Sequence, residues 1–144
     1  MQASSPTDLD RHLAFVIDDE ADIRRLVAMT LAERGFRTEG FPTAESALSA
    51  LDDNHPAVIF LDVALLQSDA IDVLIGLGAK RYPGVVHLMS GGRHELVEAV
   101  QRLGVRHGVT FAPPLNKPFG RAAIAQAVAD LQPLATTIAP NVEA

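Results

Sequence analysis

Short apolar runs of strand length alternate with segments of helical periodicity along most of this 144-residue chain. In the clearest run, Val58–Asp62, four apolar residues precede a carboxylate, which is typical of a strand that is buried on both faces. Similar runs at Leu13–Ile17 and Val85–Met89 are also followed by polar residues. Because strands that alternate with helices pair in parallel and are covered on both faces, the pattern predicts an α/β domain with a five-stranded parallel sheet.

The other elements of the pattern are predicted from weaker features. Phe36–Phe41 is expected to be a short strand. The fifth strand is expected near Val109–Ala112, at a sheet edge, because the prolines that follow cannot donate to a ladder. The first helix is expected to start near Ala21 and to be closed by Gly35. The second helix is expected to have an N-cap at Thr43, and the third to span about Asp69–Lys80. The fourth helix is expected to end at Gly104. The fifth is expected to have an apolar face with Ile124, Val128 and Leu131.

Composition excludes several classes of function. The chain has no cysteine, so it has no disulfide, thiolate metal site or thiol nucleophile. Its formal net charge is −6 and its 12 Lys and Arg residues are scattered, which argues against a nucleic-acid surface. No apolar run approaches the roughly 20 residues that span a bilayer, and the first residues do not resemble a signal peptide. We therefore expect a cytoplasmic protein that contacts neither nucleic acid nor membrane.

Polar side chains with useful chemistry follow four of the five predicted strands. They are Asp18, Asp19, Asp62, Ser90 and Lys117. Because the carboxyl ends of parallel strands meet at one edge of the sheet, these groups are expected to lie together. Three carboxylates without a covering Arg favour a divalent cation, and purely oxygen ligands indicate Mg²⁺. With a lysine and a hydroxyl to bind phosphoryl oxygens, the pattern predicts a phosphoryl-transfer site in which Asp62 is a candidate nucleophile.

Four segments around these residues resemble the receiver domain of response regulators in two-component signalling. They are Val16–Glu20, Phe60–Asp62, Leu88–Gly91 and Asn116–Phe119, and they occur in the family's order. The resemblance covers about residues 12–132 and implies a flavodoxin-like (βα)5 fold, a doubly wound parallel sheet with strand order 2-1-3-4-5. We expect a receiver domain over residues 11–132, a flexible leader over 1–10 and a flexible C-terminal tail over 133–144.

The resemblance also implies roles for individual residues. Asp62 would accept a phosphoryl group from a phosphohistidine of a partner, while Ser90 and Lys117 would contact the phosphoryl oxygens. Asp19 would ligate Mg²⁺ directly and Asp18 mainly through water. The full set of implied metal ligands is Asp18, Asp19, Asp62 and the backbone carbonyl of Ala64. The family's Lys-Pro bond, here between Lys117 and Pro118, is characteristically cis.

This chain departs from the family pattern near the fifth strand. Receivers commonly place a Tyr or Phe three residues before the lysine, and here that residue is Pro114. The segment between Ser90 and Lys117 is also longer than usual. We therefore expect a remodelled face between the fourth helix and fifth strand, and a readout that does not use serine–aromatic coupling. The five histidines, at 12, 55, 87, 94 and 107, are expected at the surface or in loops rather than at a metal site.

The leading function is a single-domain response regulator that is phosphorylated on Asp62 with Mg²⁺ and signals by protein–protein interaction or phosphorelay. Its phosphodonor would be a sensor histidine kinase or a histidine phosphotransfer protein, and its downstream protein target is not identified by the sequence. It would catalyse its own phosphorylation and dephosphorylation, without an external substrate. The alternative is a receiver-like interaction module that works without phosphorylation, which has no need of the complete polar set. An aspartyl-phosphate phosphatase is disfavoured because Ala64 replaces the general acid, and a nucleotide-binding protein because no glycine-rich loop follows the first strand.

Overall fold

The computed structural model describes residues 9–65, 69–92 and 94–131, with Asp69 described by its backbone alone. Five parallel strands form one sheet of order β2-β1-β3-β4-β5. This confirms the predicted doubly wound fold and its strand order. The strands are β1 (Asp10–Ile17), β2 (Arg37–Phe41), β3 (Pro56–Asp62), β4 (Val85–Ser90) and β5 (Thr110–Asn116).

The helices cover both faces of the sheet. They are α1 (Ala21–Ala32), α2 (Ala44–Ala50), α3 (Asp69–Ala79), α4 (His94–Arg106) and α5 (Arg121–Ala127), with a short 3-10 turn at Ala129–Leu131. Apolar residues of α2, α3 and α4 pack on one face, and those of α1 and α5 pack on the other. None of the helices within the described ranges is long and apolar enough to cross a bilayer. Residues 1–8 of the predicted leader and the predicted tail 133–144 lie outside the described residues.

The central strand β3 is buried along its whole length, from Pro56 to Asp62. Apolar side chains alternate between the two cores, with Ile59 and Leu61 in one and Val58 and Phe60 in the other. A strand that is covered on both faces needs apolar residues at every position, which explains the continuous apolar run in the sequence. The run ends at Asp62, so the strand delivers this carboxylate to the carboxyl edge of the sheet.

Three helices end with the same backbone arrangement. After α1, for example, the N–H of Phe36 donates to the carbonyl of Leu31 at 3.0 Å, and the residue before Phe36 has a positive φ, as in a Schellman motif. The positive-φ residues at the ends of α1, α3 and α4 are Gly35 at 89°, Arg81 at 56° and Gly108 at 88°. Gly35 therefore closes α1 as predicted. Arg81 adopts this left-handed conformation with a side chain, which is energetically unfavourable.

The predicted end of α4 at Gly104 is wrong. The helix continues to Arg106 and is closed by Gly108. Gly104 is buried instead against β5, where a Cβ atom would lie 2.4 Å from Cζ of Phe111. A glycine at this position allows the helix and the strand to approach closely. Its role in packing cannot be distinguished from a helix end by local sequence.

The predicted extent of β5, Val109–Ala112, is also wrong, because the strand runs from Thr110 to Asn116. It is an edge strand, as expected. The strand passes through Pro113 and Pro114, and it contains one more residue than β4 between the pairs His87–Ala112 and Met89–Leu115. This bulge accommodates prolines that could not pair regularly.

Candidate functional site

Three of the predicted site residues converge at the carboxyl edge of the sheet. Asp18 directly follows β1, Asp62 ends β3, and Lys117 follows β5. The Nζ atom of Lys117 lies 2.8 Å from Oδ2 of Asp18 and 3.5 Å from Oδ2 of Asp62. Both aspartates are buried, with 0% and 3% of their surface exposed. The structure therefore places one ammonium group between two buried carboxylates.

The two carboxylates are held by the same local device. Oδ1 of Asp18 accepts a hydrogen bond of 2.8 Å from the N–H of Glu20, and Oδ1 of Asp62 accepts one of 3.0 Å from the N–H of Ala64. Aspartate readily bonds the backbone two residues further on. In each aspartate, the local bond engages Oδ1, and Oδ2 is the atom that faces Lys117.

Ser90 is the buried last residue of β4. Its carbonyl accepts a hydrogen bond of 2.7 Å from the N–H of Lys117, so the backbones of these two predicted site residues are directly joined. The peptide bond between Lys117 and Pro118 is cis, as the resemblance implied. The ends of β4 and β5 therefore form one continuous wall of the site.

Burial and charge set the ionisation of the central groups. Burial raises the pKa of Asp62, and the charge of Asp18 raises it further, whereas the Ala64 N–H and Lys117 oppose these effects. Burial alone would lower the pKa of Lys117, but its bond with Asp18 and the charges of Asp62, Asp18 and Glu20 outweigh burial and raise it. Lys117 is therefore a permanent cation, while ionised Asp62 is poorly compensated.

A set of carboxylates that could hold a metal ion lies beside this pair. One carboxylate oxygen from each of Asp18, Asp19 and Glu20 falls within 4.8 Å of the others. Asp18 is buried, whereas Asp19 and Glu20 are exposed. A buried carboxylate with accessible oxygen donors next to it suits a hard divalent cation that keeps part of its water shell. The sequence prediction named Asp18 and Asp19 but missed Glu20, although Glu20 directly follows them.

Arg24 of α1 supports the loop Asp18–Glu20 that follows β1. Its guanidinium donates a hydrogen bond of 2.8 Å to the carbonyl of Asp18. The stem of Arg24 lies over Gly40 of β2, where a Cβ atom would be 3.0 Å from Cδ of Arg24. The N–H of Asp18 also donates to the carbonyl of Phe41 at 3.0 Å. The backbone of Asp18 is thus held on both sides, which fixes its carboxylate relative to Lys117.

The prediction that all five histidines lie at the surface or in loops is wrong for His87. His87 is in the middle of β4, is 2% exposed, and stacks on Phe60 with a ring separation of 5.2 Å. Its ring nitrogens contact the carbonyls of Pro113 and Ala127. The available signal was its position inside the apolar run Val85–Met89, where an exposed side chain is not expected.

Comparison with solved structures places the fold among response regulators. The receiver domain of NtrX from Brucella abortus is 31% identical, with a TM-score of 0.67, and the match covers 83% of this chain and 97% of that domain. A response regulator from Colwellia psychrerythraea has a TM-score of 0.74 at 20% identity, over 85% of this chain and 98% of that one. The second similarity concerns the fold alone.

This chain matches only part of the length of its curated relatives. The transcriptional regulatory protein KdpE of Mycobacterium tuberculosis is 40% identical over 65 residues, which are 45% of this chain and 29% of the relative. The nitrogen assimilation regulatory protein NtrX of Azorhizobium caulinodans is 32% identical over 110 residues, which are 75% of this chain and 23% of the relative. The chain thus spans less than a third of the length of these relatives. The response regulator receiver domain family matches residues 14–129, and the chain, with its five-stranded sheet and buried acidic site, belongs to that family.

Proposed function

We propose that this receiver domain accepts a phosphoryl group on Asp62 in a Mg²⁺-dependent reaction. The phosphodonor is a phosphohistidine of a sensor histidine kinase or a histidine phosphotransfer protein. The observation that carries the proposal is the placement of Lys117 Nζ between Oδ2 of Asp18 and Oδ2 of Asp62, at 2.8 and 3.5 Å. A buried carboxylate beside a fixed cation can act as a nucleophile toward phosphorus, because the cation offsets the charge that collects there.

The nucleophilic atom is Oδ2 of Asp62, because Oδ1 is engaged by the N–H of Ala64. The new bond joins Oδ2 to phosphorus, and the bond from phosphorus to the donor's imidazole nitrogen breaks, so that the electron pair returns to the donor ring. Lys117 then binds a phosphoryl oxygen. The hydroxyl of Ser90 donates a hydrogen bond to another oxygen from the end of β4.

Bound Mg²⁺ would neutralise charge on the phosphoryl oxygens and on the carboxylates. We assign its direct ligands as Asp19, Asp62 and the carbonyl of Ala64, with Asp18 acting mainly through water. The structure adds Glu20 as a candidate, because its carboxylate lies with those of Asp18 and Asp19. The oxygen-only donor set supports Mg²⁺ over softer metals.

Signalling by this domain is proposed to depend on other proteins. Phosphorylation adds negative charge and three acceptor oxygens at the ends of β3, β4 and β5, and a downstream protein or a phosphorelay partner would read the change. The family's usual switch aromatic is replaced by Pro114, which is exposed, so we propose a readout without aromatic rotation. A function of this kind operates in the cytoplasm. The chain matches 29% of the length of KdpE and 23% of the length of NtrX, so the proposal concerns the receiver domain.

The test is incubation of the chain with Mg²⁺ and acetyl phosphate, followed by intact mass measurement. We expect a gain of about 80 Da, one phosphoryl group, that is lost in Asp62→Asn and with EDTA. Asp72→Asn is the matched control, since Asp72 is exposed on α3 and should leave labelling unchanged. Label that persists in Asp62→Asn would identify another acceptor. No label, under conditions that label a known receiver domain, would favour the phosphorylation-independent interaction module.

A further inference from the structure

His87 has an unusual environment for a buried histidine. Its Nδ1 atom lies 2.8 Å from the carbonyl oxygen of Pro113 in β5, and its Nε2 atom lies 3.1 Å from the carbonyl oxygen of Ala127 at the end of α5. The ring stacks on Phe60 of β3, and the two planes differ by 15°. One side chain therefore connects two neighbouring strands and the helix that covers them.

A neutral His87 ring cannot donate hydrogen bonds to both carbonyls. A carbonyl oxygen only accepts hydrogen bonds, and neutral imidazole has one N–H group. Both contacts can be hydrogen bonds only when both nitrogens of His87 carry protons. In the neutral ring, one nitrogen donates and the lone pair of the other faces a carbonyl oxygen. The shorter distance to Pro113 favours the tautomer in which Nδ1 carries the proton.

The contact with Pro113 lies where the pairing of β4 with β5 is irregular. Pro113 and Pro114 have no N–H groups, and β5 has one extra residue between the pairs His87–Ala112 and Met89–Leu115. In this irregular stretch, Nδ1 of His87 contacts the carbonyl of Pro113 from the side chain. Regular pairing then resumes and leads directly to Lys117, whose N–H donates to Ser90. The conformation of the bulge therefore sets the position of Lys117 directly after β5.

The contact with Ala127 lies at the last residue of α5. Carbonyl groups in the last turn of a helix lack intrahelical partners, and the negative end of the helix dipole favours a cation. A protonated His87 would satisfy this carbonyl and would tie α5 to the bulge. A neutral His87 that bonds Pro113 would leave the carbonyl of Ala127 without this donor.

We propose that His87 is a positioning residue for Lys117: it fixes the β5 bulge through Pro113 and, when protonated, also ties the bulge to the end of α5. The proposal rests on the proposed function in one respect, since Lys117 is taken to act in phosphoryl transfer. His87 does not touch the reacting atoms. Its effect on the reaction is exerted through the backbone between Pro113 and Lys117.

The groups around the ring do not supply a competing charge. Its described contacts are with Phe60, Pro113 and Ala127, and none of these titrates. The charged residues at the ends of the packed elements are Asp62, Lys117, Arg121 and Asp130. Lys117 pairs with Asp18, Arg121 pairs with Glu33, and Asp130 is exposed. Burial lowers the pKa of His87, while the two carbonyl bonds oppose this effect, so the neutral form dominates at neutral pH and protonation occurs on acidification.

The first test uses the full wild-type chain and does not involve phosphorylation. Long-range ¹H–¹⁵N NMR spectra of chain labelled at histidine report which ring nitrogen carries a proton. We expect the Nδ1–H tautomer above pH 7 and conversion to the doubly protonated ring with a midpoint below about 6.5, the ordinary value for histidine. The amide signals of Lys117 and Ala127 should shift with the same midpoint. An Nε2–H tautomer, or a Lys117 amide that does not follow His87, would overturn the proposal.

The second test compares variants of His87 by their rate of phosphorylation with acetyl phosphate across pH. His87→Asn places an amide N–H near the position of Nδ1 and should keep the bond to Pro113. Relative to this variant, the wild-type rate should rise toward acid by about threefold, the factor expected for a charge at a helix end. His87→Leu, which loses the contacts of both ring nitrogens, should be slower by about tenfold at every pH, because Lys117 is misplaced.

Controls separate this proposal from the proposed function. His12→Asn changes an exposed histidine at the far end of β1 and should match wild type. If no protein is phosphorylated, the proposed function fails, and the tautomer and the Lys117 amide still decide the role of His87. If His87→Leu does not fold, the comparison of wild type with His87→Asn decides it. A pH profile for His87→Asn that superimposes on the wild-type profile would overturn the proposal.

Discussion

The ammonium group of Lys117 is closer to Asp18 than to Asp62, at 2.8 Å against 3.5 Å. Lys117 is therefore the counter-ion of the buried Asp18 carboxylate as well as a group beside the proposed nucleophile. The divalent cation of the proposed function would neutralise the same carboxylates as Lys117. Their effects on stability should therefore be linked.

Lys117→Met should make folding strongly dependent on Mg²⁺. Removing one partner of a buried ion pair leaves an uncompensated charge, and we expect a loss of about 3 kcal/mol in EDTA. Mg²⁺ should restore more stability to this variant than it adds to wild type, while phosphorylation falls at least about tenfold. Urea unfolding in EDTA and in Mg²⁺ measures the first effect. Lys80→Met, which removes an exposed pair with Asp52, should cost less than about 1 kcal/mol. Equal stabilisation of wild type and Lys117→Met by Mg²⁺ would contradict this account.

Asp62→Asn should stabilise the metal-free protein at neutral pH. Burial, and then the charge of Asp18, raise the pKa of Asp62 above its value of 3.8 in an unfolded chain. At low pH, the carboxyl is protonated and its burial does not destabilise the folded protein. As pH rises through the raised pKa, the buried carboxyl ionises and this advantage of the folded state is lost. Asparagine keeps an acceptor for the Ala64 N–H and has no charge to lose. We expect a gain on the order of 1 kcal/mol at pH 7 that narrows toward acid.

Urea unfolding of wild type and Asp62→Asn in EDTA, over a range of pH, measures this difference. Asp72→Asn serves again as the exposed control and should track wild type. A difference that grows toward acid would mean that the sign of the Asp62 shift is opposite to the one stated.

Gly104→Ala should destabilise the domain, whereas Gly76→Ala should not. A Cβ atom at Gly104 would lie 2.4 Å from the ring of Phe111 in β5, and overpacking of this kind costs about 1–3 kcal/mol. A Cβ at Gly76 would meet the terminal Cδ2 of Leu48, which can rotate away. The helix propensity of alanine, about 1 kcal/mol better than glycine, then offsets the adjustment.

The comparison is made by chemical denaturation of both variants. Phe111→Leu in the Gly104→Ala background should recover part of the lost stability, because it removes the clashing ring. Equal stability of the two alanine variants would show that α4 and β5 are not held as closely as described.

Arg81→Gly should stabilise the protein by about 1 kcal/mol. Arg81 has a φ of 56° after α3, whereas the corresponding residues after α1 and α4 are glycines. Arg81→Ala removes the same side-chain charge but keeps the unfavourable conformation, so it should leave stability unchanged. Thermal unfolding distinguishes the two. Phosphorylation should be unaffected in both variants, since Arg81 lies near the amino end of β4 and the site lies at the carboxyl edge of the sheet.

The sequence predicted the parts of this domain that are set by local pattern. Buried strands such as Val58–Asp62 need apolar residues at every position, and Gly35 has the conformational freedom that a helix end requires. The strand order and the residue roles came from the family resemblance. The convergence of Asp18, Asp62 and Lys117 followed because parallel strands place their carboxyl ends at one edge.

The wrong predictions all concern contacts between different elements. Gly104 is explained by the ring of Phe111, and the extent of β5 by a bulge opposite β4. His87 is buried with its ring nitrogens beside the carbonyls of Pro113 and Ala127. The two contacts of His87 span 26 and 40 residues, which no local window contains. Gly104 and Phe111 are close in the chain but belong to different elements, so their contact depends on how α4 packs on β5. Glu20 was missed for a different reason, since the two aspartates before it already satisfied the expected pattern.

The two successive prolines of β5 also limit how this protein can associate with others. Pro113 and Pro114 lie in the bulge and have no N–H groups, so two donors are missing from this edge strand. On the side that faces β4, a ring nitrogen of His87 contacts the carbonyl of Pro113. The missing donors also interrupt the hydrogen bonds that an added strand would need, and the opposite edge is the five-residue β2, with charged Arg37 and Glu39. Neither edge is suited to extension of the sheet, which protects the domain from strand-to-strand aggregation and leaves its helices and loops as the surfaces for recognition.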